Sequence, residues 1–214
     1  MDKKFAIFDM DGTLIDSMSF WAGLAEEFLK SRGIASVSRE VLEKIKPMTM
    51  TESAGLFLRV YGLSGTAEAL AAEMNGMMDR HYREDIPLKP GVSEYLEALD
   101  RRGVRMCVVS ATAEPLMRLC LERLGILRHF AFLLSCEEVH AGKDRPDAYW
   151  EAAKRLGCVP AEAAVYEDAL YAARTAKSAG FYVAGVYDRS GEASWKELTA
   201  LADETIFDFS EVIV

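Results

Sequence analysis

The first apolar run, Phe5-Ala6-Ile7-Phe8, follows two lysines and stops at Asp9-Met10-Asp11-Gly12-Thr13, which predicts a buried strand emptying into a polar turn. From about Ile15 to Ile86 the rhythm is helical and no good strand is found. Phe20, Leu24, Phe28 and Leu29 share one face, and Leu56, Val60 and Tyr61 share another further on. The ends of this stretch read as hinges: Leu14 to Asp16 on one side, and on the other Ile86-Pro87-Leu88-Lys89-Pro90-Gly91, where two prolines prevent a continuous helix. Beyond Gly91 helix and strand alternate. A helix over 92–101 stops at Gly103 and leads into a strand over 104–109; a helix over 115–124 ends at Gly125 before a strand near 130–134. A helix over 146–156 ended by Gly157, a strand over 163–166, a helix over 169–179, a strand over 182–186 and a short strand near 205–207 complete the series.

Strands separated by helices pack as a parallel sheet with helices on both faces. The expected fold class is therefore α/β, a Rossmann-like three-layer parallel-sheet core over residues 1–14 and 87–214, with an inserted all-helical cap domain over 15–86. No internal repeat or low-complexity segment interrupts it.

With 25 basic against 34 acidic residues, the formal net charge is -9. Nucleic acid or an anionic membrane would ask for a Lys/Arg-rich face, so the balance argues against both as partners, while a few placed charges suffice for a small phosphorylated metabolite. The opening Met1-Asp2-Lys3-Lys4 leads into too short an apolar run for a signal peptide, and no stretch approaches the roughly 20 apolar residues of a membrane span. A cytoplasmic protein, monomer or weak homodimer, is expected. Cys107, Cys120, Cys136 and Cys158 have no paired spacing, and His81, His129 and His140 form no zinc pattern, so buried or incidental thiols in a reducing compartment are expected.

Polar residues fall at the carboxyl ends of four predicted elements: Asp9 and Asp11 after the first strand, Ser110 after Val109, Lys143 before the helix at Pro146, and Glu167-Asp168 after Tyr166. In an open parallel sheet that edge binds ligands. At about 4 Å and an effective dielectric of about 20, one carboxylate repels a phosphate dianion by roughly 8 kcal/mol, one lysine attracts it equally, and a divalent cation attracts it by roughly 16 kcal/mol. Lys143 alone cannot offset four carboxylates, so a divalent cation is required, and hard oxygen ligands favour Mg2+. With it, an aspartate becomes a usable nucleophile toward phosphorus, and a second carboxylate two residues on suits proton transfer. Ser110 and the backbone N–H beside it, that of Ala111, would hold phosphoryl oxygens, with Lys143 neutralising their charge.

In order, Asp9-Met10-Asp11-Gly12-Thr13, Ser110 after Val108-Val109, Gly142-Lys143-Asp144-Arg145-Pro146-Asp147 and Glu167-Asp168 resemble the four motifs of the haloacid dehalogenase superfamily, across essentially the whole chain. The subgroup with a helical cap between the first two motifs, which includes β-phosphoglucomutase-like and phosphoglycolate-phosphatase-like proteins, is the nearest in pattern. That resemblance implies a phosphatase working through an aspartyl phosphate, with Asp9 as nucleophile and metal ligand and Asp11 as acid/base, its backbone carbonyl on Mg2+. It puts Ser110 and Lys143 on the phosphate, Asp168 on the metal with Glu167 as an auxiliary, and Asp147 steadying the Lys143 loop. Ala169 and Ala172 depart from the family, which commonly has a small hydroxyl residue and a glycine there; hydrogen bonding behind the metal ligands and the approach of the next helix are affected.

Two other functions use the same residues. A β-phosphoglucomutase-type mutase resembling this pattern would carry a histidine early in the first cap helix, where this chain has Trp21, so hydrolysis is favoured. A non-catalytic phosphate-binding protein is disfavoured by the intact Asp9, Asp11, Lys143 and Asp168. Trp21 is a candidate substrate contact. The plainest structural readings are a helix cap before Pro115 for Ser110 and a solvated helix face for Arg80-His81-Tyr82-Arg83.

Overall fold

The computed structural model describes residues 2–212. Met1, Ile213 and Val214, at the outer limits of the segments expected to form the core, lie outside the described residues. Six strands, β1 (Phe5–Phe8), β2 (Arg105–Ser110), β3 (Phe130–Ser135), β4 (Ala163–Glu167), β5 (Tyr182–Val186) and β6 (Glu204–Ile206), form one parallel sheet in the order β3-β2-β1-β4-β5-β6. The chain runs outward from β1 through β2 to β3, then returns to lay β4 on the opposite side of β1. The order therefore reverses at β1/β4, and the loops leaving those strands diverge to open a crevice.

Alternation along each strand loads both faces. Ala6, Phe8, Met106, Val108, Ala164 and Tyr166 pack under α5 (Val92–Arg101) and α6 (Glu114–Arg123). Ile7, Cys107, Val109, Val165 and Val183 meet α7 (Asp147–Leu156), α8 (Leu170–Ser178) and α9 (Trp195–Leu201). A central strand buried on both sides reads as a continuous apolar run, as Phe5–Phe8 does. The short helix α9 was not expected from the sequence; its seven residues offer one buried apolar anchor, Leu198, too little for a periodic signal.

Between β1 and α5 lie four helices, α1 (Met18–Ser31), α2 (Arg39–Ile45), α3 (Met50–Tyr61) and α4 (Ala67–Glu84). They enclose a core of their own around Phe28, Leu29, Phe57, Leu70 and Met74. On α3 the expected face is rotated: Ala54 and Phe57 are buried and Val60 is 50% exposed. The helix starts at the Thr49/Glu52 capping box, and its small buried positions, Ser53 and Ala54, carry no strong apolar signal.

The two connectors of this helical unit run side by side. Ile15 and Leu88 form an antiparallel bridge, the Asp16 N–H donates to the Pro87 carbonyl at 3.0 Å, and the Lys89 N–H donates to the Leu14 carbonyl at 3.0 Å. The unit is seated on the sheet. The Thr51 N–H donates to Glu137 Oε1 at 2.8 Å, the Tyr171 hydroxyl to the Lys46 carbonyl at 2.7 Å, and Arg123 Nε to the Tyr82 carbonyl at 2.8 Å. At Gly142 the approach is so close that a Cβ there would lie 2.2 Å from the Pro47 carbonyl oxygen.

Among the described residues no helix is long and apolar enough to cross a membrane. Cys107, Cys120 and Cys136 are buried free thiols, and Cys158 is a half-buried one.

Candidate active site

Asp9 follows the last residue of β1 and stays tied to the sheet edge, its N–H donating to the Tyr166 carbonyl at 3.0 Å. The chain then folds back, with the N–H groups of Leu14 and Ile15 donating to the Met10 carbonyl at 2.9 and 3.1 Å. That tight return needs a left-handed residue, and Gly12 supplies it at φ +87°. It also needs empty space, since a Cβ on Gly12 would sit 2.4 Å from Asp168 Oδ2. Gly12→Ala is therefore expected to lower kcat at least tenfold and to lower thermal stability by about 1–3 kcal/mol, by displacing Asp168 and straining the turn. Activity assays and thermal melts on the variant check this, and parental values in both would contradict the account.

The loop after β3 carries Lys143 into the crevice. The Ala141 N–H donates to the Cys136 carbonyl at 3.2 Å, and Arg145 braces the loop through Nη2 to the His140 carbonyl at 2.9 Å. Asp147, expected to steady this loop, is exposed in the first turn of α7, and Arg145 is the residue that braces it. Lys143 is buried, its Nζ donating to Asp9 Oδ1 and, at 2.6 Å, to Glu167 Oε1. Glu167 Oε1 also accepts from the Tyr149 hydroxyl at 2.7 Å. Asp9, Glu167 and Asp168 each bring an oxygen within 4.8 Å of the others, all three buried.

Burial dominates the electrostatics here. It pushes the Asp9 carboxyl up to about 7; Lys143 pulls the other way, and the charges of Glu167 and Asp11 add to the rise. Burial also raises Asp168 well above the carboxylate range, helped by repulsion from Asp9 and Glu167. For Lys143, burial opposes the ammonium, but Asp9 and Glu167 outweigh it and the group is held charged. Three carboxyl groups share this buried space with a single ammonium, so full ionisation is disfavoured until further positive charge arrives. Asp9 Oδ2 is buried there with no hydrogen-bond partner. A hard divalent cation fits this donor set on both counts, charge and a free oxygen.

Asp11 stands beside this group in a different setting. Its Oδ1 accepts from Ser17 Oγ at 2.7 Å, Trp21 Nε1 at 3.0 Å and the Tyr82 hydroxyl at 2.7 Å. Its Oδ2 accepts from Thr112 Oγ1 at 2.8 Å and, at 3.3 Å, from Ser110 Oγ. Ser110 also accepts from the Thr112 N–H at 3.0 Å, so it organises the turn after β2 and does not cap α6, whose N-cap is Ala113. Ala111 lies half-buried in that turn.

The indole N–H of Trp21 points inward to Asp11 and Tyr82, leaving the partly exposed ring for other contacts. Tyr82 corrects the expected solvated face: Arg80 and Arg83 do pair outward with Glu84 and Asp79, but Tyr82 is 0% exposed and turns toward the sheet. Charged neighbours on both sides masked its period in the sequence. Ser17, Thr112 and Tyr149 were likewise not singled out, since nothing local distinguishes a hydroxyl that reaches a distant carboxylate. Ala169 and Ala172, the departures from the resembled pattern, are the N-cap and a buried position of α8, where Ala172, Ala173 and Ala176 bring that helix close to the sheet.

Residues 6–186 match the haloacid dehalogenase-like hydrolase family. The chain belongs to that family. Hexitol phosphatase A of Escherichia coli is 30% identical over 189 residues, 87% of this chain and 84% of the relative. (DL)-glycerol-3-phosphatase 1, mitochondrial, of Arabidopsis thaliana is 29% identical over 211 residues, 95% of this chain and 70% of the relative. Among solved structures, CbbY of Rhodobacter sphaeroides in complex with xylulose-(1,5)-bisphosphate superposes with a TM-score of 0.82 at 23% identity, covering 98% of this chain and 96% of that one, which shows the shared fold.

Proposed function

We propose that this protein is a cytoplasmic Mg2+-dependent phosphatase that hydrolyses a small phosphorylated metabolite through an aspartyl phosphate on Asp9. The reading rests most on one observation: Asp9 Oδ2 is buried and unpartnered at the sheet's switch point, between a charged lysine and a second carboxylate. Two relatives are named for phosphorylated polyols, glycerol and hexitol, and this class heads the candidate substrates.

Asp9, Asp168 and the backbone carbonyl of Asp11 would hold the Mg2+, with Glu167 behind them, tied to Lys143 and Tyr149. The ion supplies positive charge that lets an anionic nucleophile approach an anionic ester. Lys143 Nζ, Ser110 Oγ and the Ala111 N–H hold the phosphoryl oxygens. Asp9 attacks phosphorus while Asp11 gives a proton to the departing alkoxide. Water then attacks the aspartyl phosphate, Asp11 takes a proton from it, and inorganic phosphate and free Asp9 result. Residues 15–86 form the cap and swing on the paired connectors to admit substrate. The partly exposed ring of Trp21 faces it. Trp21 also stands where a mutase would have histidine, which favours water as acceptor.

A phosphate-release screen over polyol, sugar and hydroxy-acid monophosphates tests this, with Mg2+, without it, and with no bisphosphate activator. Turnover of at least one ester, abolished by chelator, is expected; no release from any ester with Mg2+ present would favour a silent phosphate-binding protein. Gel filtration over a concentration series is expected to show a monomer or a weakly associating dimer.

A further inference from the structure

Most of the hydrogen bonds on Asp11 come from the helical cap. Of the five donors, Ser17 is the N-cap residue of α1, Trp21 lies in its first turn and Tyr82 in the last turn of α4. Ser110, the last residue of β2, and Thr112, in the loop after it, come from the sheet side. Tyr82 is the centre of the set. It donates to Asp11 Oδ1, accepts from Trp21 Nε1 at 3.0 Å, and lies 3.2 Å from Thr112 Oγ1.

Each hydroxyl has one proton, and those of Tyr82 and Thr112 both go to Asp11, one to each carboxylate oxygen. The two donors come from opposite sides of the connectors and fix the plane of the carboxylate between them. A buried tyrosine is a good instrument for this because its ring, packed at 0% exposure, leaves the hydroxyl no freedom to wander. Its main chain is held to the core as well, through Arg123 Nε on the Tyr82 carbonyl.

We propose that Tyr82, with Trp21, is a positioning residue for the acid/base carboxylate: the seated cap aims Asp11, so proton delivery to the leaving group is complete only when the cap is down. This rests on the reading of Asp11 as acid/base, and its test separates the two. Removing one hydrogen bond to a charged group costs about 10- to 100-fold in the step that uses it.

Tyr82→Phe keeps the ring and removes the donor. It is measured on the alkyl phosphate turned over fastest by the parent enzyme with Mg2+, and on p-nitrophenyl phosphate, whose phenolate departs without a proton. The ratio kcat/KM is the readout because it ends with departure of the leaving group. Expected is a fall of about 10- to 100-fold on the alkyl ester and under threefold on the nitrophenyl ester. An equal fall on both esters, no fall on either, or a gain on the alkyl ester would overturn the proposal. Should Tyr82→Phe fail to fold by circular dichroism, Ser17→Ala, which removes another donor from the cap side to the same Asp11 oxygen, decides by the same ratio. Asp11→Asn tests the underlying reading: it should lose far more on the alkyl than on the nitrophenyl ester, and equal losses there would remove the acid role itself, whatever Tyr82 does.

Discussion

Asp9→Asn is expected to reduce turnover by at least about a thousandfold, since the amide cannot form the acyl phosphate. The variant should nonetheless fold. In the metal-free protein the charge on Asp9 is disfavoured by burial and by Glu167 and Asp11, so its removal offsets the loss of the ion pair to Lys143. Its melting temperature without Mg2+ should therefore be no lower than that of the parent, the usual sign of a residue kept for activity at the expense of stability. Rapid-quench experiments with phosphorus-labelled substrate should trap label on the parent and none on the variant. Persistent hydrolysis by Asp9→Asn would falsify the assigned nucleophile.

Mg2+ is expected to raise the melting temperature, and more at pH 8 than at pH 6. The sign follows from the carboxyls. Asp9 and Asp168 are raised in the fold, so the metal-free native state favours their protonated forms. Their contribution to stability is fully present below the ordinary carboxyl range and is lost as pH rises through about 7, where Asp9 ionises. The metal-free protein should thus melt lower at pH 8 than at pH 6. The ion binds the ionised carboxylates, so at a fixed concentration its effect grows over the same interval. At about 100 times the dissociation constant it contributes about 2.7 kcal/mol, or ~5–10 °C for a chain of this size. Scanning calorimetry with Mg2+ and with chelator at the two pH values provides the check; a shift independent of pH, or none, would contradict a carboxylate site.

Much of the architecture was legible because β1, β2, β4 and β5 are buried on both faces and so appear as unbroken apolar runs, while helix ends at Gly103, Gly125 and Gly157 mark themselves by left-handed glycine. The same local signals led from strand ends to Asp9, Ser110, Lys143, Glu167 and Asp168, which the fold gathers at one edge. What escaped was information carried by distance. Tyr82 stands 71 residues from Asp11 and Thr112 101 residues from it, and both are ordinary in their own neighbourhoods. The rotated face of α3 was missed for a related reason: a helix that packs through Ser53 and Ala54 uses closeness where others use bulk, and closeness leaves no mark on hydropathy.

The bridge between Ile15 and Leu88 bears on the proposed swing of residues 15–86. Two separate tethers would let the four helices drift and twist independently of the sheet, whereas two connectors bonded to each other at Asp16–Pro87 and Lys89–Leu14 behave as a single pin. A door on one pin returns along one arc to the same frame. On the proposed reading, product would leave and the next ester arrive without the latch ever having to be found anew.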